Sequence, residues 1–323
     1  MKVLITGITG MVGSHLADYI LENHPDYEVH GIARWRSPLD NLYHIKNKIK
    51  IHLGDIKDLN SLIVILKEVK PDLIFHLAAQ SYVQVSFKMP TETLDTNIIG
   101  TTNLLDAIRI VGINPRIHIC SSSEVYGQVT KDEIPIKETN PFRPASPYAV
   151  SKVGEDMISL QYYLSYKMEI VRTRMFTHTG PRRGDVFAES AFAKQIALIE
   201  AGILKNPMKV GNLNSVRTFQ DVRDAVKAYW LLLEKCPAGE VYNIGGNTTT
   251  TIGEMLGLLI SMTDRVISYE VDPSLLRPSD VTLQIPDVSK FKLATNWEPE
   301  IPLETTLVDL LNYHRGRISK GIY

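Results

Sequence analysis

Short apolar, β-branched runs alternate with longer stretches of helical periodicity through the first half of the chain. The runs Lys2–Thr6, Glu28–Ala33, Ile49–Leu53, Leu73–Leu77, Arg116–Ser121 and Glu169–Arg174 predict strands. Most are apolar without interruption, as expected of strands buried on both faces. Helix-length segments fill the gaps between them, so the alternation predicts a parallel sheet covered by helices on both sides. The clearest helix runs from Pro90, a favoured first-turn residue, to Gly112, a favoured stop, with Leu94, Ile98, Leu104, Leu105 and Ile108 as its apolar stripe.

After Thr177 the rhythm changes. Pro181-Arg182-Arg183-Gly184 reads as a loop, Ala188–Ala201 as a helix, and Lys205–Asn214 as turn-rich chain with one short strand. Further helices are predicted over Asp221–Glu234, Thr251–Thr263, Val288–Leu293 and Leu303–Arg315, with a strand at Glu240–Ile244. The Gly245–Thr251 stretch is compositionally biased and reads as a turn leading into a helix.

Composition narrows the function classes. The chain has 323 residues, enough for two lobes that each bury a core, and 35 basic side chains against 36 acidic ones. That balance leaves no electrostatic footprint for nucleic acid or an anionic membrane, so an anionic ligand must be met by a few local cations. Cys120 and Cys236 are the two cysteines, far apart and outside any C-x-x-C pair, which points to a reducing, cytoplasmic setting without disulfide or thiolate-zinc chemistry. No signal-peptide core or membrane-length apolar run is present, and no H-E-x-x-H motif suggests a metal. His76, His118 and His178 fall in or just after strands and read as hydrogen-bonded structural histidines.

Between the first strand and first helix lies Gly7-Ile8-Thr9-Gly10-Met11-Val12-Gly13. Glycines at this spacing permit a tight turn and close backbone approach to a pyrophosphate, while the helix N-terminus supplies unpaired N–H groups. The lysine of a nucleoside-triphosphate P-loop is missing. At the end of the second strand, where an acidic residue would bind the ribose of NAD, stands Ala33, followed by Arg34, Trp35 and Arg36. A guanidinium there suits a 2′-phosphate, so the coenzyme is predicted to be NADP, with Arg34 the preferred contact. Asp55, after the third strand, is a candidate acceptor for the adenine amino group.

Tyr148-x-x-x-Lys152 opens a predicted helix after Pro147, and the spacing stacks phenol and ammonium on one face. The ammonium together with the coenzyme's charge is expected to lower the phenol's pKa and make the tyrosinate a usable base. Tyr163-x-x-x-Lys167 repeats the pattern at the other end of the same helix. Ser122, Ser123 and Glu124 end the fifth strand on the edge where doubly wound sheets hold ligands, which favours Tyr148 and Lys152; Lys167 should lie toward the opposite edge.

Together, Thr6-Gly7-x-x-Gly10-x-x-Gly13, His76-Leu77-Ala78-Ala79, Ser122/Ser123 and Ser146-Pro147-Tyr148-x-x-x-Lys152 resemble the extended short-chain dehydrogenase/reductase family over nearly the whole chain. Within it, Ser122–Gly127, Val85–Phe87, Gly180–Gly184, Gly211–Arg217 and Leu276–Pro278 are most similar to GDP-mannose 4,6-dehydratases and the related GDP-6-deoxy-4-keto-mannose reductases. The resemblance implies a Rossmann-like doubly wound sheet with a smaller α/β C-terminal substrate lobe. Residues 1–176 with about 218–245 would form the first, and 177–217 with 246–323 the second. It implies a homodimer or homotetramer.

The same resemblance implies that Ser122 and Tyr148 share the substrate C4 hydroxyl, that Lys152 holds the nicotinamide ribose, and that Glu124 removes the C5 proton and assists loss of water from C6; Ser123 joins the catalytic set, its hydroxyl either orienting the leaving group or bonding to nearby backbone. Gly7, Thr9, Gly10, Met11, Val12, Gly13, Arg34, Asp55, Ile56, Leu77, Ala78, Ala79, Ser81, Tyr148, Lys152, His178 and Arg183 would contact NADP. A GDP-sugar, GDP-mannose or a close relative, would meet Ser81, Ser86, Glu124, Thr177, Lys194, Val210, Arg217, Arg277 and Asp280. Two departures bear on the sugar: the dehydratases carry asparagine where Thr177 stands and threonine at the Ser122 position, and the run Thr218–Asp224 and the tail from Leu276 are closer to the reductases. Glu124 favours elimination of water over simple reduction, since elimination needs a base at C5.

Overall fold

The computed structural model describes residues 1–322. In chain order the strands are β1 Lys2–Thr6, β2 Glu28–Ala33, β3 Lys50–Leu53, β4 Leu73–His76, β5 Arg116–Ser122, β6 Ile170–Met175, β7 His178–Thr179, β8 Met208–Val210, β9 Val216–Asp221, β10 Val241–Ile244, β11 Thr248–Thr251, β12 Tyr269–Val271 and β13 Leu283–Gln284. The helices are α1 Met11–Asn23, α2 Leu59–Val69, α3 Val83–Lys88, α4 Pro90–Leu94, α5 Gly100–Val111, α6 Pro147–Tyr166, α7 Ala188–Glu200, α8 Val222–Lys235, α9 Ile252–Ser261, α10 Ser289–Thr295 and α11 Leu303–Ser319.

Seven strands form one parallel sheet in the order β10-β6-β5-β4-β1-β2-β3. Alternate side chains feed opposite faces. Val3 and Ile5 of β1 pack with Leu16 and Ile20 of α1 and with Tyr229 and Leu233 of α8, while Leu4 meets Leu62 and Leu66 of α2, Leu104 and Leu105 of α5, and Tyr162 of α6. The chain runs outward from β1 to β3 and then, from β4, to the other side, so the order reverses between β1 and β4. At such a switch point the loops leaving the strand ends part and open a crevice. Thr6 fixes its walls: its hydroxyl accepts from the N–H groups of Leu77 and Ala78, at 3.1 Å each, and meets His76 Nδ1 at 2.8 Å.

A second core joins Phe192 and Ile196 of α7, Val210 of β8, Phe219 of β9, Leu256 and Leu259 of α9 and Leu307 and Leu310 of α11. Small sheets β11-β9-β13, with β7 beside β9, and β12-β8 accompany it.

Three elements differ from the pattern-based expectation. The long helix from Pro90 is interrupted by a π-turn at Asp95–Ile99, and its first half buries Thr93, Asn97 and Thr101 rather than Leu94 and Ile98. Asn97 explains the change: its side chain accepts from Gln80 N–H at 2.8 Å and donates to Ser151 Oγ at 2.8 Å, which ties the helix to the crevice wall. Gly112 closes the helix in the left-handed region (φ 73°), as expected of a glycine stop. Thr248–Thr251 is a strand antiparallel to β9 and not a plain turn. β9 itself, Val-Arg-Thr-Phe-Gln-Asp, escapes a hydrophobicity reading because its buried side chains are mostly polar.

Candidate active site

The crevice at the strand ends is a cleft of about 1210 Å³. That exceeds the roughly 300–1000 Å³ of ordinary small-ligand sites and leaves room for two nucleotide-sized ligands. One end is built on Gly7–Gly13. Gly7 takes φ 72°, and a Cβ there would come within 2.8 Å of Ala78 N; a Cβ on Gly13 would sit 2.4 Å from Gly7 O. Gly10 caps α1 with no side-chain acceptor, and the first turn holds no acidic residue, so its N–H groups face the cleft without a competing anion. Thr9, Met11, Val12, Arg34, Asp55, Ile56, Leu77, Ala78, Ala79 and Ser81 line the same region. So do Ser37 and Asn41, which sequence reasoning passed over; Asn41 donates to Thr9 O at 2.9 Å. Arg36 is not among the lining residues and stacks on Trp35 instead. Asp55 Oδ1 accepts from Lys57 N–H at 3.0 Å, a local turn that fixes the carboxylate.

The centre of the cleft is assembled from β5 and α6. Ser146 caps α6 by accepting from Ala149 N–H at 3.0 Å, and Pro147 occupies the first helical turn, which sets Tyr148 at the helix entrance. Ser122 ends β5 and accepts from Glu124 N–H at 3.2 Å, starting a short 3₁₀ turn that aims Glu124 into the cleft. Tyr148 and Lys152 are both buried. Burial pushes the Tyr148 phenol up, and the Lys152 ammonium and the Ser122 hydroxyl pull it only partly back. The expected lowering of this phenol is therefore not met by the protein's own groups: desolvation outweighs one ammonium. A residue that sequence reading missed is part of the reason. Lys152 Nζ donates at 2.6 Å to Glu155 Oε2 and at 2.6 Å to Cys120 O, and Glu155 is itself buried.

Ser123 Oγ donates to Gln284 Oε1 at 2.7 Å, and Gln284 Nε2 returns a bond to Ser123 O, so this serine anchors β13 to the 3₁₀ turn. At the far end, Arg277 Nη1 lies 3.9 Å from Glu124 Oε1 and 3.5 Å from Asp280 Oδ1, and Arg217 Nη2 lies 3.7 Å from Asp280 Oδ1. Asn212 and Ser215 also donate to Asp280 Oδ2, at 2.8 and 3.0 Å. Arg183 is paired with Glu189 at 3.0 Å and stacks on Phe187, and Lys194 is paired with Asp185 at 2.6 Å. Thr177, His178, Arg183 and Lys194 all line the cleft.

Two expected contacts are not brought to it. Ser86 is fully buried, with its hydroxyl donated at 2.6 Å to Val83 O inside its own helix, and the Val210 side chain is fully buried in the second core, away from the cleft. The neighbours Val83 and Gly211 line the cleft in their place.

His76 and His118 are buried within the sheet, while His178 lines the cleft. His76 bridges Thr6 and Thr101, and His118 bonds Thr173 at 2.8 Å; burial pushes both down to about 3, and His178 down to about 4. Among the described residues no three of His, Cys, Asp and Glu come together as a metal-binding group, and no helix is long and apolar enough to cross a membrane.

A glycine turn at the switch point of a parallel sheet, with serine, tyrosine and lysine at the adjoining strand end, is the arrangement of the extended short-chain dehydrogenases/reductases. The family model described as GDP-mannose 4,6 dehydratase matches residues 4–310. A GDP-mannose 4,6-dehydratase of Yersinia enterocolitica is 35% identical, over 96% of this chain and 92% of its own length. A GDP-6-deoxy-D-mannose reductase of Pseudomonas aeruginosa is 31% identical, over 98% of each chain. The solved structure of RMD from Pseudomonas aeruginosa complexed with NADPH superposes with a TM-score of 0.85 at 31% identity, covering 98% of this chain and 99% of the other. The chain belongs to the GDP-mannose 4,6-dehydratase family.

Proposed function

We propose that this protein is an NADP-dependent GDP-mannose 4,6-dehydratase, a hydro-lyase that converts GDP-mannose or a close GDP-sugar to the 4-keto-6-deoxy sugar. The observation that carries the reading is Glu124: a carboxylate 14% exposed, inside the cleft, two residues from Ser122 and 3.9 Å from Arg277. A 4-keto group acidifies the neighbouring C5–H, and a positioned carboxylate is the base that elimination of the C6 hydroxyl needs.

The residues present fit a dinucleotide. Side chains at Gly7 and Gly13 would collide with backbone, the α1 N-terminus is uncapped, and Arg34 stands where a 2′-phosphate would be met. The chemistry that bound NADP would supply is acceptance of the C4 hydride and its return at C6. Ser122 and Tyr148 hold the C4 hydroxyl, and Tyr148 takes its proton. Lys152 fixes the coenzyme ribose and favours the tyrosinate. Glu124 removes the C5 proton and, now protonated, passes a proton to the C6 hydroxyl, which leaves as water. Arg217 and Arg277 neutralise the diphosphate in a cleft whose chain carries no net excess of cations, and Asp280 meets the nucleotide ribose.

On this reading residues 1–176 with about 218–245 form the coenzyme domain, since β10 completes the large sheet, and 177–217 with 246–323 the nucleotide-sugar domain. A homodimer or homotetramer is part of it, supported by the exposed apolar row Val150, Met157 and Leu164 along α6. So is a cytoplasmic setting, supported by the free thiols Cys120 and Cys236.

A second reading, an NADPH-consuming reductase of the 4-keto sugar, is favoured by the end-to-end match to the Pseudomonas aeruginosa reductase and by Thr177. Purified protein incubated with GDP-mannose and no added coenzyme separates the two. The dehydratase yields a product lighter by one water; unchanged GDP-mannose together with stoichiometric NADPH use on the keto sugar identifies the reductase.

A further inference from the structure

The ion pair beneath Lys152 has no part in the mechanism above. Lys152 and Glu155 lie one turn apart on α6 with side chains 5% and 2% exposed, and they meet at 2.6 Å. An ammonium has three N–H donors. Cys120 O of β5 and Glu155 Oε2 of α6 itself take two of them, which leaves one for the cleft. The lysine is held in one rotamer before any ligand arrives. A buried carboxylate in such a pair also cancels much of its partner's field.

We propose that Glu155 is a positioning residue for the coenzyme-binding lysine, and that its charge sets how strongly Lys152 acts on Tyr148. This rests on the dehydrogenase/reductase site assignment above and names a member of the site that the Ser-Tyr-Lys pattern does not contain.

The surroundings single out this carboxylate. Toward α6 from β4 and β5 come His76 and His118, both held neutral by burial, and the Cys120 thiol, pushed up by burial. From α8 comes Tyr229, whose hydroxyl is 3.2 Å from Cys120 Sγ and whose phenol burial holds neutral. The next acidic residue on α6, Asp156, is already bound by Arg172 and Arg174 of β6. The one negative charge bonded to Lys152 is thus Glu155. Burial pushes its carboxyl up to about 7, against the pull of Lys152, and Asp156 pushes the same way.

The sign follows from charge alone. With Glu155 ionised, the Lys152–Glu155 pair is neutral, and loss of the Tyr148 proton leaves a net negative cluster in a buried site. Without that charge, the same loss turns a net positive cluster neutral, so the first proton leaves the Tyr148–Lys152 pair at lower pH.

The test is an ultraviolet difference titration of the protein with bound NADP, the signal of Tyr148 being isolated by subtracting the Tyr148→Phe variant. Glu155→Gln keeps an acceptor for Lys152 and removes the charge, and is expected to move the tyrosinate midpoint down by about 1 pH unit. The acid limb of GDP-mannose turnover should move with it. A midpoint that stays in place or rises overturns the electrostatic part. Glu155→Asp keeps the charge but falls short of Nζ; it is expected to leave the midpoint near that of the wild type and to weaken NADPH binding about tenfold, and unchanged NADPH affinity overturns the positioning part. A merely structural role lowers activity evenly across pH in both variants, which also contradicts the proposal. Because titration and coenzyme binding need no sugar, a wild type that binds NADPH but ignores GDP-mannose refutes the substrate assignment and leaves this test standing.

Discussion

Helix α6 carries the same five-residue spacing at both ends, and the two ends have opposite fates. At its start, Tyr148 and Lys152 are buried against β5, with Ser122 at the phenol and Glu155 and Cys120 O at the ammonium. At its end, Lys167 is exposed, takes φ 56° as the helix cap, donates to Leu164 O at 3.0 Å and lies 6.0 Å from the Tyr163 ring. Helical spacing puts a phenol and an ammonium on one face in both cases. What separates them is the sheet edge: the start of α6 meets the C-terminal end of β5 on the cleft, while its end turns back toward the N-terminal end of β6, and Tyr163 and Lys167 do not line that cleft. A motif becomes a site through the groups that desolvate it.

That contrast is open to direct attack. On the proposed mechanism, Tyr148→Phe removes the oxygen that accepts the proton of the C4 hydroxyl, and it should lower kcat for GDP-mannose by roughly 10²–10⁴-fold, with melting temperature little changed. Loss below tenfold would place the base elsewhere. Gly13→Ala sets a methyl 2.4 Å from Gly7 O in the coenzyme cradle. Overpacking of about 1–3 kcal/mol should weaken NADPH binding roughly 10–100-fold by fluorescence titration. Arg34→Ala should weaken NADPH about tenfold and NADH hardly at all, since only the former carries the 2′-phosphate; equal weakening of both would remove Arg34 from that role. At the silent end, Tyr163→Phe with Lys167→Met should change kcat and KM by less than about twofold, as surface substitutions within ~0.5 kcal/mol do.

The comparison also shows what a sequence reader can and cannot see. β1 and β2 were legible residue for residue, because Val-Leu-Ile and its like must be buried on both faces. The glycine turn, Ser122, Glu124, Tyr148 and Lys152 were legible because each sits at a strand or helix end where its spacing has a chemical meaning. β9 was not: Arg217, Thr218, Gln220 and Asp221 are buried by hydrogen bonds and not by hydrophobicity, so no apolar period marks the strand. Glu155 went unremarked, since nothing in the local pattern of α6 marks it as buried. Its only charged partner is Lys152, and Lys152 is in turn held by Cys120 O of β5, 32 residues earlier in the chain. Ser86 and Val210 erred in the other direction: neighbours of the cleft in sequence, they face inward in space.

The central claim is that Glu124 takes the C5 proton after C4 has been oxidised. Its most direct test is turnover of GDP-mannose in deuterium oxide by the wild type and by Glu124→Gln, with the product or bound intermediate read by mass spectrometry and the reduced coenzyme by absorbance. The wild type should release a keto-deoxy sugar carrying deuterium at C5. The variant should accumulate reduced coenzyme while its sugar gains no deuterium and loses no water. Normal turnover by the variant, with deuterium at C5, would contradict the account.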